Sequence, residues 1–202
     1  MVDYPSRIVP PLVTTLAEQS LKMYPRVEGV CRDDATDNVR QLELWAKEYG
    51  RCGWAVATGP DFNVIALEVI EDRGKEMIDD MIANGDLEES ENGFNTLCIG
   101  SQDGSWRPIF FWKYPQGNRA KTPGRVDFSR RGVILQVEGG CVTLPKKPTH
   151  AGTDDIAECP NGLKDAAFTD IEERSLGNDS GPEKPTAIGV PKERDLENRM
   201  IA

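Results

Sequence analysis

The chain has 202 residues, a formal net charge of −10 and a sequence pI near 4.7. That length is enough for one sizeable core, and the acidic balance excludes a protein that gathers nucleic acid by its overall charge. No apolar run in the sequence approaches the roughly 18 residues of a membrane helix, so no membrane partner is expected.

Charge is uneven along the chain, since residues 151–202 carry 12 acids against 6 bases. The five cysteines, Cys31, Cys52, Cys98, Cys141 and Cys159, form no CxxC pair and leave an odd one over. Free thiols in a reducing compartment are therefore expected. The N-terminus also lacks the basic-then-apolar order of a secretory signal, so the expected location is cytoplasmic.

In chain order, residues 1–19 read as a lead, with Pro5, Pro10 and Pro11 ahead of a short helix in "LVTTLAEQSLKM". In "DDATDNVRQLELWAKEYG", Thr36 or Asp37 can cap a helix whose Leu42, Trp45, Ala46 and Tyr49 recur on one face, with Gly50 as its stop. Two apolar runs, "GWAVATG" and "NVIALEVI", flank "PDF" as the arms of a hairpin would. A helix follows Glu71 and Asp72, with Met77, Ile78, Met81 and Ile82 as its stripe and Asn84 and Gly85 at its end.

"NTLCIGS" and "RPIFFWKYP" predict two further strands, the second starting at Ile109 because Pro108 is awkward inside a sheet. "GVILQVEGGCVTLP" reads as a hairpin around Gly139 and Gly140. Residues 175–202 are rich in Gly, Pro and charge and poor in apolar side chains, the composition of a disordered acidic tail. The fold class expected is α+β, a mixed or antiparallel sheet with flanking helices, over residues 20–174.

Two features point to function. Glu68 interrupts the apolar strand "NVIALEVIED", where it is either a surviving metal ligand or a structural carboxylate, at a sheet edge, salt-bridged to an arginine or kept protonated by burial. The segment "KYPQGNRAKTPGRVDFSRR" sets Lys113, Arg119, Lys121, Arg125, Arg130 and Arg131 against one acid, Asp127. It reads as a phosphate-binding groove or as a solvated loop between strands. Among the tryptophans, Trp45 and Trp54 read as core, and Trp106 is the one to test as a surface contact; His150 reads as a turn residue.

The order "ATDNVRQLELWAKEY", "CGWAVATG", "VIALEV" with Gly74, "RPIFFWKYP" and "GVILQVEGGCVTLP" with "THAG" resembles the bifunctional primase-polymerase domain of the archaeo-eukaryotic primase superfamily. The likeness covers roughly residues 20–160. It implies an RRM-like core and a setting in DNA replication of a plasmid, phage or other mobile element. In that family, carboxylates alternating on a strand hold two divalent metals, because metals bridging the attacking and leaving oxygens offset the charge of phosphoryl transfer. Matched without gaps on Gly74, the first family acid falls on Glu68, the second on Ile70 and the third on Ile134. Gln136 takes the place of the family's arginine, and Arg107 or Pro108 that of its nucleotide-contacting histidine; His150 matches a later histidine.

The resemblance therefore implies a degenerate member, a pseudoenzyme without a metal cofactor that binds nucleic acid or another protein in a regulatory or inhibitory role. The alternative is an active primase or polymerase using Mg or Mn on a rearranged set of Glu68, Glu71 or Asp72, and Asp127.

Overall fold

A computed structural model describes residues 9–91, 93–101, 107–128, 131–146, 148–150, 152–153 and 155–171. Trp106, Arg130 and the tail at 175–202 lie outside them. One compact unit runs up to Asp170. No helix among the described residues is long and apolar enough to cross a membrane.

Helix α1 (Pro11–Glu18) begins on a proline, whose fixed φ suits a first turn. It buries Val13, Leu16 and Ala17, so this part of the expected lead belongs to the core. It ends sooner than its apolar pattern predicts, and Met23–Pro25 form strand β1 instead. Helix α2 (Val39–Tyr49) buries Leu42 and Ala46 and leaves Trp45 half-buried. Its cap is Asn38 rather than Thr36 or Asp37: Asn38 Oδ1 accepts from the Arg40 and Gln41 amides at 3.0 and 3.4 Å. Thr36 Oγ1 is occupied one step earlier, accepting from the Asn38 amide at 3.1 Å.

Strand β2 (Trp54–Ala57) and β3 (Val64–Val69) follow, then α3 (Gly74–Ala83), which buries Met77, Ile78 and Met81 as its stripe predicts. Next come a two-residue pair, β4 (Glu89–Ser90) and β5 (Gly93–Phe94), then β6 (Cys98–Ser101) and β7 (Ile109–Lys113), which starts where the proline argument places it. The basic segment, read as a loop, holds β8 (Asn118–Ala120) and β9 (Arg125–Phe128). The described part closes with β10 (Val133–Gln136), β11 (Cys141–Thr143), β12 (Pro148–His150), α4 (Asn161–Ala167) and β13 (Phe168–Asp170). His150 is therefore an exposed strand residue rather than part of a turn.

The main sheet has the order β12-β6-β7-β3-β10-β9, every neighbour antiparallel. A second sheet, β1-β2-β11, is also antiparallel; β13 pairs with β8, and β4 with β5. This α+β architecture is the expected class, but both predicted hairpins fail. β2 and β3 lie in different sheets, with a bridge between Gly59 and Val64 closing the turn that links them, and β10 and β11 are likewise divided. A short connection permits a hairpin without requiring one; β2 pairs instead with β1 and β11, and β10 with β3 and β9.

Strand alternation sends Ile65, Leu67, Val69, Phe110, Trp112, Val133 and Leu135 to one face of the main sheet, against α3 and α4. Val64, Ala66, Ile109 and Phe111 take the other face, beneath α1, α2, Trp54 and Val56. Phe110, Phe111 and Trp112 are all buried to 1% exposure or less, which places β7 in the middle of the core. Each such side chain contributes on the order of 2–3 kcal/mol by leaving water.

Candidate functional site

Antiparallel register fixes a row across the main sheet: Ile109, Glu68, Ile134 and Asp127 stand opposite one another on β7, β3, β10 and β9. The next row on the same face is Phe111, Ala66, Gln136 and Arg125. Apolar cover protects this face over β7 and β3 and gives way towards β10 and β9, where Ile134 and Gln136 are half-buried and Arg125 and Asp127 exposed. Glu68 sits at that transition, which answers how a carboxylate is tolerated inside an apolar strand.

Its partner is an amide: Gln136 Nε2 donates to Glu68 Oε1 at 2.8 Å. Burial pushes the Glu68 carboxyl above the ordinary carboxylate range, while the Gln136 hydrogen bond and the nearby Arg125 guanidinium pull it back. Glu68 is thus neither at the sheet edge nor in a contact salt bridge. Sequence reading places Gln136 where the family has arginine but misses it as the partner. The spacing of Ile134 and Gln136 puts both on one face of a strand, and the register with β3 brings that face beside Glu68.

Behind Gln136 lies a tight junction of three loops. Thr58 Oγ1 donates to the Val137 carbonyl at 2.8 Å, and the Thr58 amide to the Gly140 carbonyl at 3.1 Å. The Gly124 amide donates to the Glu138 carbonyl, and the Val137 amide to the Gly124 carbonyl at 3.0 Å. A Cβ on Gly140 would lie 2.5 Å from the Gly124 carbonyl oxygen and 2.9 Å from both Gln136 Oε1 and Thr58 Oγ1, so only glycine fits there. Arg32 closes the junction, donating to the Thr58 carbonyl at 2.9 Å and the Gly140 carbonyl at 3.2 Å, with its guanidinium 4.6 Å from the Phe62 ring centroid. Of the two glycines read from sequence as a hairpin turn, Gly140 is a point of close backbone approach, while Gly139 takes the turn's positive φ of 82°.

The other acids lie elsewhere. β3 ends at Val69; the Ile70 and Glu71 amides donate to the Gly132 carbonyl, and Glu71 pairs with Arg73 at 2.5 Å. Asp127 is two strands from Glu68, about 10 Å at the backbone given ~4.8 Å per strand, and Ile134 stands between them. Among the described residues no three His, Cys, Asp or Glu side chains group as metal ligands. Two divalent metals need several oxygen donors at about 2.1 Å; the aliphatic side chains at 70 and 134 do not fit that group.

The described bases are drawn to separate partners. Lys113 Nζ bonds Glu158 Oε1 at 2.7 Å, Arg119 Nε lies 3.9 Å from Glu138 Oε2, and Arg131 Nη2 bonds Asp80 Oδ2 at 3.0 Å. Lys121 Nζ donates to the Asp165 carbonyl at 2.6 Å, in the last turn of α4, where a cation suits the carbonyl ends. Arg125 alone of the set stands beside Glu68. Arg107 is exposed just ahead of β7, whose Ile109 opposes Glu68, and His150 lies on β12 at the far edge of the sheet. Trp54 and Trp112 are core, at 5% and 1% exposure. A scan of protein-family models finds no match to this chain, and neither does a search of curated proteins.

Proposed function

We propose that the chain is a binding module on a primase-polymerase-like scaffold that has given up phosphoryl transfer, serving a regulatory or inhibitory role in a mobile genetic element. The observation that carries this reading is Ile134 directly across from Glu68, with Gln136 hydrogen-bonded to the one acid that remains at the matched positions. Without paired metals, several kcal/mol of transition-state charge stabilisation is lost, and a single amide-bound carboxylate does not replace it. The test is nucleotide incorporation on a primed template with Mg or Mn at high protein concentration. Incorporation no greater than in Glu68→Ala is expected; incorporation that Glu68→Ala or Asp127→Ala abolishes would establish the active enzyme instead.

The partner that fits best is a protein. Lys113, Arg119 and Arg131 each face an acid, so a phosphate backbone would have to displace those ion pairs. A protein surface can instead use the half-buried Ile134 with the polar groups around it. Nucleic acid is the second reading, favoured by Arg107 and Arg125 at the Glu68 end of the sheet. Anisotropy titration with a single-stranded oligonucleotide at two salt concentrations separates the two. The protein reading predicts no binding that Arg107→Glu with Arg125→Glu removes; salt-sensitive binding lost in that double variant assigns the site to nucleic acid.

A further inference from the structure

Strands β2 and β11 have two differently built ends. At one, Thr58 and Gly140 belong to the tight junction; at the other, Trp54 and Leu144 help line an open groove of about 720 Å³. The two ends are about 13 Å apart, the length of four strand residues. The groove's remaining walls are Pro10, Leu12 and Val13 of the α1 start, the 50–53 turn, and Pro145 with Lys146. Its volume falls within the range of small-molecule sites, which pair an apolar lining with a few charged or polar groups.

The charges in this groove are all of one sign. Arg51 and Lys146 are exposed on its lining and have no side-chain partner among the described residues. This contrasts with Lys113, Arg119 and Arg131, each beside an acid, in a chain whose acids exceed its bases by 10. Two unpaired cations beside the accessible apolar lining of Pro10, Leu12 and Pro145, with the buried Val13, Trp54 and Leu144 beneath it, are complementary to a molecule with an apolar body and an anionic head. Cys52, half-buried, lines the same groove and reports on its occupancy.

We infer that this groove binds a small amphipathic carboxylate, its chain or ring against Pro10, Leu12 and Pro145 and its head between Arg51 and Lys146. The site is separate from the Glu68 face and does not rest on the function proposed for it.

The test uses the full chain with decanoate, and decanol as the uncharged control, following iodoacetamide alkylation of Cys52 by mass spectrometry. Decanoate is expected to slow alkylation of Cys52 at least tenfold and leave that of the exposed Cys31 unchanged; decanol should do so at least tenfold less effectively. Arg51→Glu with Lys146→Glu, both surface changes, should abolish the protection, and Leu12→Ser should weaken it. Equal protection by decanol, protection that persists in the charge-reversed double variant, or no protection at all would overturn the inference. So would a dimer that the double variant dissociates, which would assign the groove to a second copy of this chain.

Discussion

The two faces of the main sheet use the same strands to different ends. Behind β3 and β10, Leu67, Val69, Val133 and Leu135 are sealed under α3 and α4, and the cover continues to the half-buried Val126 and Phe128 of β9. In front, the cover stops one strand earlier, and the alternate residues Glu68, Ile134, Gln136, Asp127 and Arg125 form a mostly polar margin. A one-residue step along β10 therefore moves from Leu135, with no exposure, to a side chain in partial contact with water. The margin exists because of where the covering layer ends, not because the strands themselves change.

The largest expected effect tests that asymmetry with one substitution on each face. Leu135→Asp strands a carboxylate in the sealed core and should cost more than about 4 kcal/mol, enough to unfold the chain in a urea titration. Ile134→Asp, one residue away, should cost no more than about 2 kcal/mol, because its carboxylate reaches water. Equal losses at the two positions would erase the distinction between the faces. Trp112→Ala, in the sealed core, should cost about 3–5 kcal/mol by the same measurement.

Gly140→Ala comes next. The added methyl meets the Gly124 carbonyl and the Gln136 and Thr58 oxygens, so a backbone shift costing about 1–3 kcal/mol is expected. That shift should also loosen Gln136 from Glu68, and chemical shifts of the Gln136 side-chain amide would report it.

The smallest effect is the most specific. Folding raises the Glu68 pKa, so the native chain holds that proton more tightly than the unfolded chain does. Its contribution favours the fold at acid pH and is lost as pH rises from the ordinary carboxylate range through the raised value. Wild type should therefore lose stability relative to Glu68→Gln over that window. Matched urea titrations at several pH values would show it; a difference that does not change with pH would mean that Glu68 titrates as it does in water.

Much of this was legible in the sequence. The start of β7 after Pro108, the stripe of α3 and the buried character of Trp54 follow from local rules of backbone and periodicity. The failed hairpins share one cause: strand pairing is decided over long distances. β10 joins β3 rather than β11 because Leu135 and Leu67 stack in a core assembled from segments nearly 70 residues apart. For the same reason Gln136 was visible as a departure from a motif but not as the partner of Glu68, which depends on register. Asn38 displaced the expected caps because Thr36 Oγ1 was already used by the Asn38 amide, a competition that residue type alone does not reveal.

Strand β9 is the last of the main sheet on its side, and a terminal strand offers a ready template for another chain to add to. Here Arg125 and Asp127 alternate with Val126 and Phe128, so an incoming strand would meet a charge at every second residue. The ion-bearing border thereby disfavours fibre growth and edge-to-edge stacking, and it keeps an incomplete sheet compatible with high concentrations of the protein.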